Sequence, residues 1–234
     1  MQHIKWLAAL LIMVASASPS MAATSIETEL FGPGTPNFDT VLNFNKFDPI
    51  LGTLNSVKIV MQVDVQGGSL TVDNDGIGPA SVTVELGAEG NVASVDVPLL
   101  NNLLQPVVSD VTASTSGLFN LGAENGDGIA NVDGTGPDGA ILAGGNDSEM
   151  QMGFINTLFH PNYTGAAATF NVTAEIDQIL DFGGVGGVEG AFSPVTASGF
   201  VQVIYDYTAP VPEPASALMA AIGLCAVVLN RRQR

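Results

Sequence analysis

Oxygen-bearing side chains crowd one stretch of this chain, Glu124-Asn125-Gly126-Asp127-Gly128-Ile129-Ala130-Asn131-Val132-Asp133-Gly134. A hard cation such as Ca²⁺ takes about six to eight oxygen ligands, some of them backbone carbonyls that glycines free to wrap around it. Glu124, Asn125, Asp127, Asn131 and Asp133 are the candidate ligands, with Asp138 and Asp147 further along. The same composition suits a solvated, flexible surface loop, and both readings stay open. Other chemistry is sparse. His160, in Phe159-His160-Pro161-Asn162-Tyr163, reads as a solvent-facing loop histidine, because no second histidine after His3 and no Gly-x-Ser-x-Gly elbow accompany it. Paired carboxylates could serve glycoside hydrolysis, but no motif singles out a pair. The one tryptophan, Trp6, lies in the N-terminal apolar run, so no tryptophan platform for sugar stacking exists further along. The expectation is a protein that is not an enzyme.

The Asn125-Gly126-Asp127-Gly128 core resembles the centre of an EF-hand or dockerin calcium loop. It departs from that pattern at Ala123, where the first ligand would stand, and at Gly134, where the bidentate acid would stand. Three Asn-x-Ser/Thr sequons, at Asn146, Asn162 and Asn171, read as chance matches.

A different kind of chemistry, recognition by processing enzymes, is written at both ends. Lys5, the apolar run Trp6 to Ala17 and the small residues Ser20 and Ala22 form a secretory signal peptide over residues 1–22, with cleavage expected between Ala22 and Ala23. At the other end, Val211-Pro212-Glu213-Pro214 precedes an uninterrupted apolar stretch, Ala215 to Leu229, and then Arg231, Arg232 and Arg234. A charge-free helix over 215–229 would be roughly 22 Å long, slightly short of the ~30 Å hydrocarbon core. The arginines would stay cytoplasmic and leave the body outside. Cys225, the one cysteine, lies inside that helix, so the body has no disulfide and no thiolate.

The order Pro212-Glu213-Pro214, helix, Arg231-Arg232 over residues 210–234 resembles the PEP-CTERM sorting signal of proteins exported by Gram-negative bacteria. That resemblance implies transient anchoring in the inner membrane, cleavage by an exosortase and delivery to the cell surface or the extracellular space, often with exopolysaccharide or biofilm matrix. Signal peptidase and exosortase would be the partners during export, with extracellular polysaccharide a candidate partner afterwards.

What must position these features is a strand-rich body over residues 23–209. The alternation Val57, Ile59, Met61, Val63, Val65 against Lys58, Gln62 and Asp64 predicts a strand with one buried face. The same period recurs at Val82-Val84-Leu86, at Phe170-Val172-Ala174-Ile176 and at Val201-Val203-Tyr205-Tyr207. Asp73-Asn74-Asp75-Gly76 predicts a hairpin turn before Ala80. Leu99–Val108 is the nearest thing to a helix in the body. The expected fold is an all-β antiparallel sandwich or jelly roll. Phe47-Asp48-Pro49-Ile50-Leu51-Gly52-Thr53-Leu54 and Ala197 to Thr208 resemble the two ends of the choice-of-anchor E domain, a family that implies a surface-anchored architecture and no assigned activity. Phe47 would anchor the core there, and Pro49 and Gly52 would shape the turn into the first long strand.

The chain has 234 residues, 23 acidic and six basic, for a net charge of −17. Between residues 23 and 212 stand 22 acids and two lysines, Lys46 and Lys58, a net charge of −20. A body this acidic repels phosphate backbones, which excludes nucleic-acid binding by charge neutralisation. The hydrophobic fraction of 46% excludes a disordered acidic tail.

Overall fold

The computed structural model describes residues 21–126, 131–183 and 186–210. These residues form β1 (Ala22–Gly34), β2 (Phe38–Asn45), β3 (Thr53–Gln66), β4 (Ser69–Asn74), β5 (Ala80–Ala93) and β6 (Val111–Leu121). After them come β7 (Gly139–Ala143), β8 (Asn146–Phe154), β9 (Thr169–Asp181), β10 (Val188–Ser193) and β11 (Thr196–Thr208). Two 3-10 turns, Pro49–Leu51 and Thr157–Tyr163, are the helical elements among the described residues. The fold is therefore all-β, and every ladder between named strands is antiparallel.

Strand order is β1-β11-β3-β8 in one four-stranded sheet and β2-β9-β5-β6 in another, consistent with the expected sandwich. The alternating residues account for the core. Ile59, Met61 and Val63 of β3, with Val201, Val203 and Tyr205 of β11, share one buried cluster with Val84, Leu86 and Ala88 of β5 and Phe170, Val172 and Ala174 of β9. The sheets approach so closely that a Cβ on Gly90 of β5 would come within 2.5 Å of Met61 Cε and Val63 Cγ2 of β3.

A third sheet, β10-β4-β7, continues the first around a corner. Each of β3, β8 and β11 runs into β4, β7 or β10 through two residues: Gly67-Gly68, Gly144-Gly145 and Pro194-Val195. The Gly67 amide donates to Gly145 O (3.1 Å) and the Gly144 amide to Gly68 O (3.0 Å), so the corner keeps its hydrogen bonds as the ribbon bends. Gly67 and Gly68 both take φ near +70 to +80° there, a backbone that glycine adopts without strain.

Two expectations change. The Asp73–Gly76 turn exists, yet β4 and β5 are not hairpin partners: β4 pairs with β10 and β7, and β5 pairs with β6 and β9. The reason lies in Asn74, whose Oδ1 accepts from the Gly76 amide (3.0 Å) while Nδ2 donates to the carbonyls of Gly78 (2.9 Å) and Gly122. The turn is pinned to residue 122 and crosses between sheets. Leu99–Val108 is not helical either. Leu100 bridges Pro106, the Val107 amide donates to Leu99 O (3.0 Å), and Asn101 Oδ1 caps the turn by accepting from Leu103 and Gln105.

On the outer face of the first sheet, Ile26, Leu30, Met150, Met152 and Phe154 are exposed, and Lys58 Nζ lies 4.9 Å above the Phe154 ring. Val60 points to this same side and is nevertheless only 3% exposed, outside the main core cluster.

Candidate functional site

The acidic loop folds back on the β4–β5 turn. Glu124 N donates to Gly76 O (3.0 Å) and Asn74 N to Asp138 O (3.1 Å). Asp138, 1% exposed, accepts from the Asn125 amide at Oδ2 and from Asn125 Nδ2 at Oδ1, each at 2.7 Å. Asp133 accepts from the Thr135 amide (2.7 Å) and hydroxyl (3.0 Å), and Glu124 Oε1 accepts from the Gly126 amide (3.0 Å). Asn131 is exposed, and Asp127 lies outside the described residues. Asp147 stands apart, accepting from the Ser114 amide (2.8 Å) beside the Gly144-Gly145 corner.

This arrangement joins Glu124, Asn125 and Asp138 to a group the sequence reading treated only as a turn: Asp73 (2% exposed), Asn74 and Asp75, whose Oδ2 is buried without a hydrogen-bond donor. Asp-x-Asp in Asp73-Asn74-Asp75 is the signal that marked them. Among the described residues no three His, Cys, Asp or Glu side chains converge in a metal-holding geometry. Asp133 and Asp138 spend their oxygens on loop amides and hydroxyls, so these carboxylates organise the loop chemically.

His160 is not solvent-facing. It sits half-buried in the Thr157–Tyr163 turn, its Nε2 buried without a hydrogen-bond partner, beside a cleft of about 570 Å³ lined also by Phe47, Leu54, Pro49 and Pro161. Pro161 inside the turn and the Asn156 side chain, which accepts from the Leu158 amide (3.0 Å), hold the segment against the core.

Phe47 closes the same end of the domain. It is buried, its ring lies 5.9 Å from that of Tyr205 and 5.2 Å from that of Tyr207, and its amide donates to Tyr163 O (2.8 Å). Tyr205 and Tyr163 donate their hydroxyls to the Asn45 and Pro98 carbonyls (2.8 and 2.7 Å). Burial pushes both phenols well above the usual tyrosine range; the Glu27 carboxylate and Tyr163 add to the shift at Tyr205.

The processing residues meet this end of the fold. Ala22 and Ala23 open β1, paired with Thr208 and Tyr207 of β11, and the Ala209 amide donates to Met21 O at 3.0 Å. The first and last described residues thus lie side by side. Pro212, Glu213, Pro214, Arg231, Arg232, the expected helix 215–229 and residues 1–20 lie outside the described residues.

No protein-family model matches the chain, and no curated protein matches it. Among solved structures, one of turnip yellow mosaic virus at 100 K is 8% identical, covering 85% of this chain and 99% of the other at a TM-score of 0.19. Desmodium yellow mottle tymovirus is 6% identical over 84% and 86%, with a TM-score of 0.18. The VP2 subviral particle of infectious bursal disease virus is 13% identical over 93% and 51%, with a TM-score of 0.15. Superpositions this poor carry no argument about fold or activity.

Proposed function

We propose that the chain is an exported, non-catalytic protein of the Gram-negative cell surface or extracellular matrix, sorted through its C-terminal tail. In this reading signal peptidase cuts after Ala22, the helix 215–229 holds the precursor in the inner membrane, and an exosortase releases the body near Pro212-Glu213-Pro214. The role after release is structural or adhesive, in association with exopolysaccharide or biofilm. The observation that carries the reading is the tripartite tail itself. The pairing of Ala23 with Tyr207 supports it, because a domain with both ends at one point can hang from a membrane segment without being threaded by it. Strand orders β1-β11-β3-β8 and β2-β9-β5-β6 match an eight-strand jelly roll once the corner strands β4, β7 and β10 are set aside, an architecture compatible with this reading that does not by itself select a function. The choice-of-anchor E resemblance agrees with that role.

An epitope fused after Arg234 tests the reading against a second epitope in the exposed turn at Ile77. Loss of the C-terminal epitope from the mature species, dependent on the exosortase, is expected. A mature species that keeps it would sink the sorting role.

A second reading, a calcium-dependent module for matrix polysaccharide, is favoured by one observation. The 122–138 loop brings Glu124 and Asp138 against the Asp73–Asp75 turn at the end of the domain away from the termini. Glycan binding that a chelator abolishes would select it.

A further inference from the structure

We propose that the end of the domain at which the C-terminal segment leaves is itself a lipid-contact surface, seating its aliphatic loop tips in the bilayer that holds the tail. The proposal rests on the reading of residues 215–229 as a membrane segment.

Three observations converge on this end. The first is where the chain leaves. Ala23 at the start of β1 pairs with Tyr207 at the end of β11, so the segment 211–234 with its apolar run begins beside the processed N-terminus. Any bilayer entered by the tail lies within a few residues of this surface.

The second is what the loops present. Ile50 and Leu51 on the first 3-10 turn, Val95 after β5, Leu103 and Leu104 at the tip of the 101–105 turn, and Leu158 on the second 3-10 turn are all exposed, Ile50, Val95, Leu103 and Leu158 by 77% or more. Their placement follows from the ladders. Gly52 packs against the Thr208 carbonyl at the end of β11. Ser94 Oγ donates to Asn171 O (2.6 Å), two residues into β9. Ile155 N donates to Val57 O (2.9 Å), and Asn156 N ties the second 3-10 turn to Leu100 O (2.9 Å) at the base of the 101–105 turn. Aliphatic tips on neighbouring loops at one end offer apolar area that a covering layer would remove from water. Short loops that insert an aliphatic tip among headgroups gain from that burial in proportion to the area removed from water.

The third is charge. The body has two lysines: Lys46 stands directly after β2 at this end, and Lys58 lies on the outer face of the first sheet, over the Phe154 ring. Four carboxylates share this end and keep their charge while accepting hydrogen bonds. Glu27 accepts from the Asn45 amide, Asp48 from Ile50, Asp96 from Asn171, and Asp206 from Thr24 and Ser56 hydroxyls. At the far end stand Asp73, Asp75, Glu124, Asp133 and Asp138. A body of net charge −20 is repelled by an anionic leaflet in every orientation, and least with this end towards it, where Lys46 offsets part of the acid and the Asp73, Asp75 and Asp138 group is turned away.

The test uses the full chain with Cys225→Ser, carrying single cysteines in place of Ile50, Leu104, Leu158 or Ile77, each labelled with a polarity-sensitive fluorophore. The labelled chains are reconstituted into vesicles of phosphatidylcholine and phosphatidylglycerol. Emission should shift to the blue, with protection from an aqueous quencher, at positions 50, 104 and 158 but not at 77. If all four labels behave alike while the chain floats with the vesicles, the lipid-contact surface is wrong although the anchor stands. If deletion of 211–234 leaves flotation unchanged, the anchor reading is wrong, and the same labels decide whether the rim binds lipid by itself. A blue shift that appears without vesicles and grows with protein concentration would assign the surface to a second copy of the chain and overturn the proposal.

Discussion

Gly52 lies against Thr208 so closely that a Cβ on it would collide with the Thr208 carbonyl oxygen. At φ +143° its backbone is also one that other residues rarely adopt. One glycine therefore joins the Pro49–Leu51 turn to the end of β11, and with it the loop bearing Ile50 to the point where the tail begins.

Gly52→Ala should cost about 1–3 kcal/mol from backbone strain alone, with more from displacing β11. Urea denaturation of the variant and the parent chain measures this. An unchanged midpoint would mean that the turn and the strand end are not joined as described.

Tyr205 and Tyr163 are buried with raised phenol pKa values, so they stabilise the fold while neutral. The unfolded chain ionises them near pH 10, and the native chain resists until higher pH. Their contribution is complete below pH 10 and is lost as pH rises above it, at up to about 1.4 kcal/mol per pH unit for each tyrosine. Stability measured from pH 8 to 12 should fall in that window, and Tyr205→Phe should flatten the fall. The same variant leaves the Asn45 carbonyl without its donor, so it should cost about 1–3 kcal/mol at neutral pH.

Asn74, 1% exposed, makes three side-chain hydrogen bonds, two within the β4–β5 turn and one to the acidic loop at Gly122. Asn74→Ala should lose about 2–4 kcal/mol, since backbone groups of Gly76, Gly78 and Gly122 all lose a buried partner. Limited proteolysis should then cut the 122–138 segment sooner than in the parent chain. Equal cutting rates would show that the loop is held by other contacts.

Asp138 is the corresponding hub on the loop side. Asp138→Ala removes both acceptors for Asn125 and should destabilise by about 1–3 kcal/mol, while Asp138→Asn keeps one acceptor and should cost less. Thermal melts of both variants with and without millimolar Ca²⁺ bear on the second functional reading. A calcium-dependent rise in Tm that vanishes in Asp138→Ala would favour it.

Local periodicity made the buried faces of β3, β5, β9 and β11 legible, because each alternates apolar and polar residues over at least five positions. Partner choice was not legible. Ala22 and Thr208 pair across nearly the whole chain, and nothing within either strand names the other. The Asp73–Gly76 turn misled because its residues suit any tight reversal, whereas the Asn74 hydrogen bond to Gly122 depends on a residue 48 positions away. β8 escaped notice because, as an edge strand exposed along most of its length, it has no buried face to alternate against. Likewise, His160 carries no local mark of burial; the docking of its turn, through the Tyr163 carbonyl that accepts from the Phe47 amide, decides that. Of the candidate ligands, the loop cluster was visible in composition, but its union with Asp73 and Asp75 arises only from the crossing between sheets.

β11 lies between β1 and β3 and is hydrogen-bonded to both along nearly its full length. A pull on the chain beyond Ala209 runs along that strand, so the ladders on both edges share the load in shear and must fail together. A force separating Ala23 from Ala209 would instead open pairs one at a time, like a zipper. The fold is thus mechanically directional: it resists traction along its C-terminal strand and yields readily to peeling of its N-terminal strand.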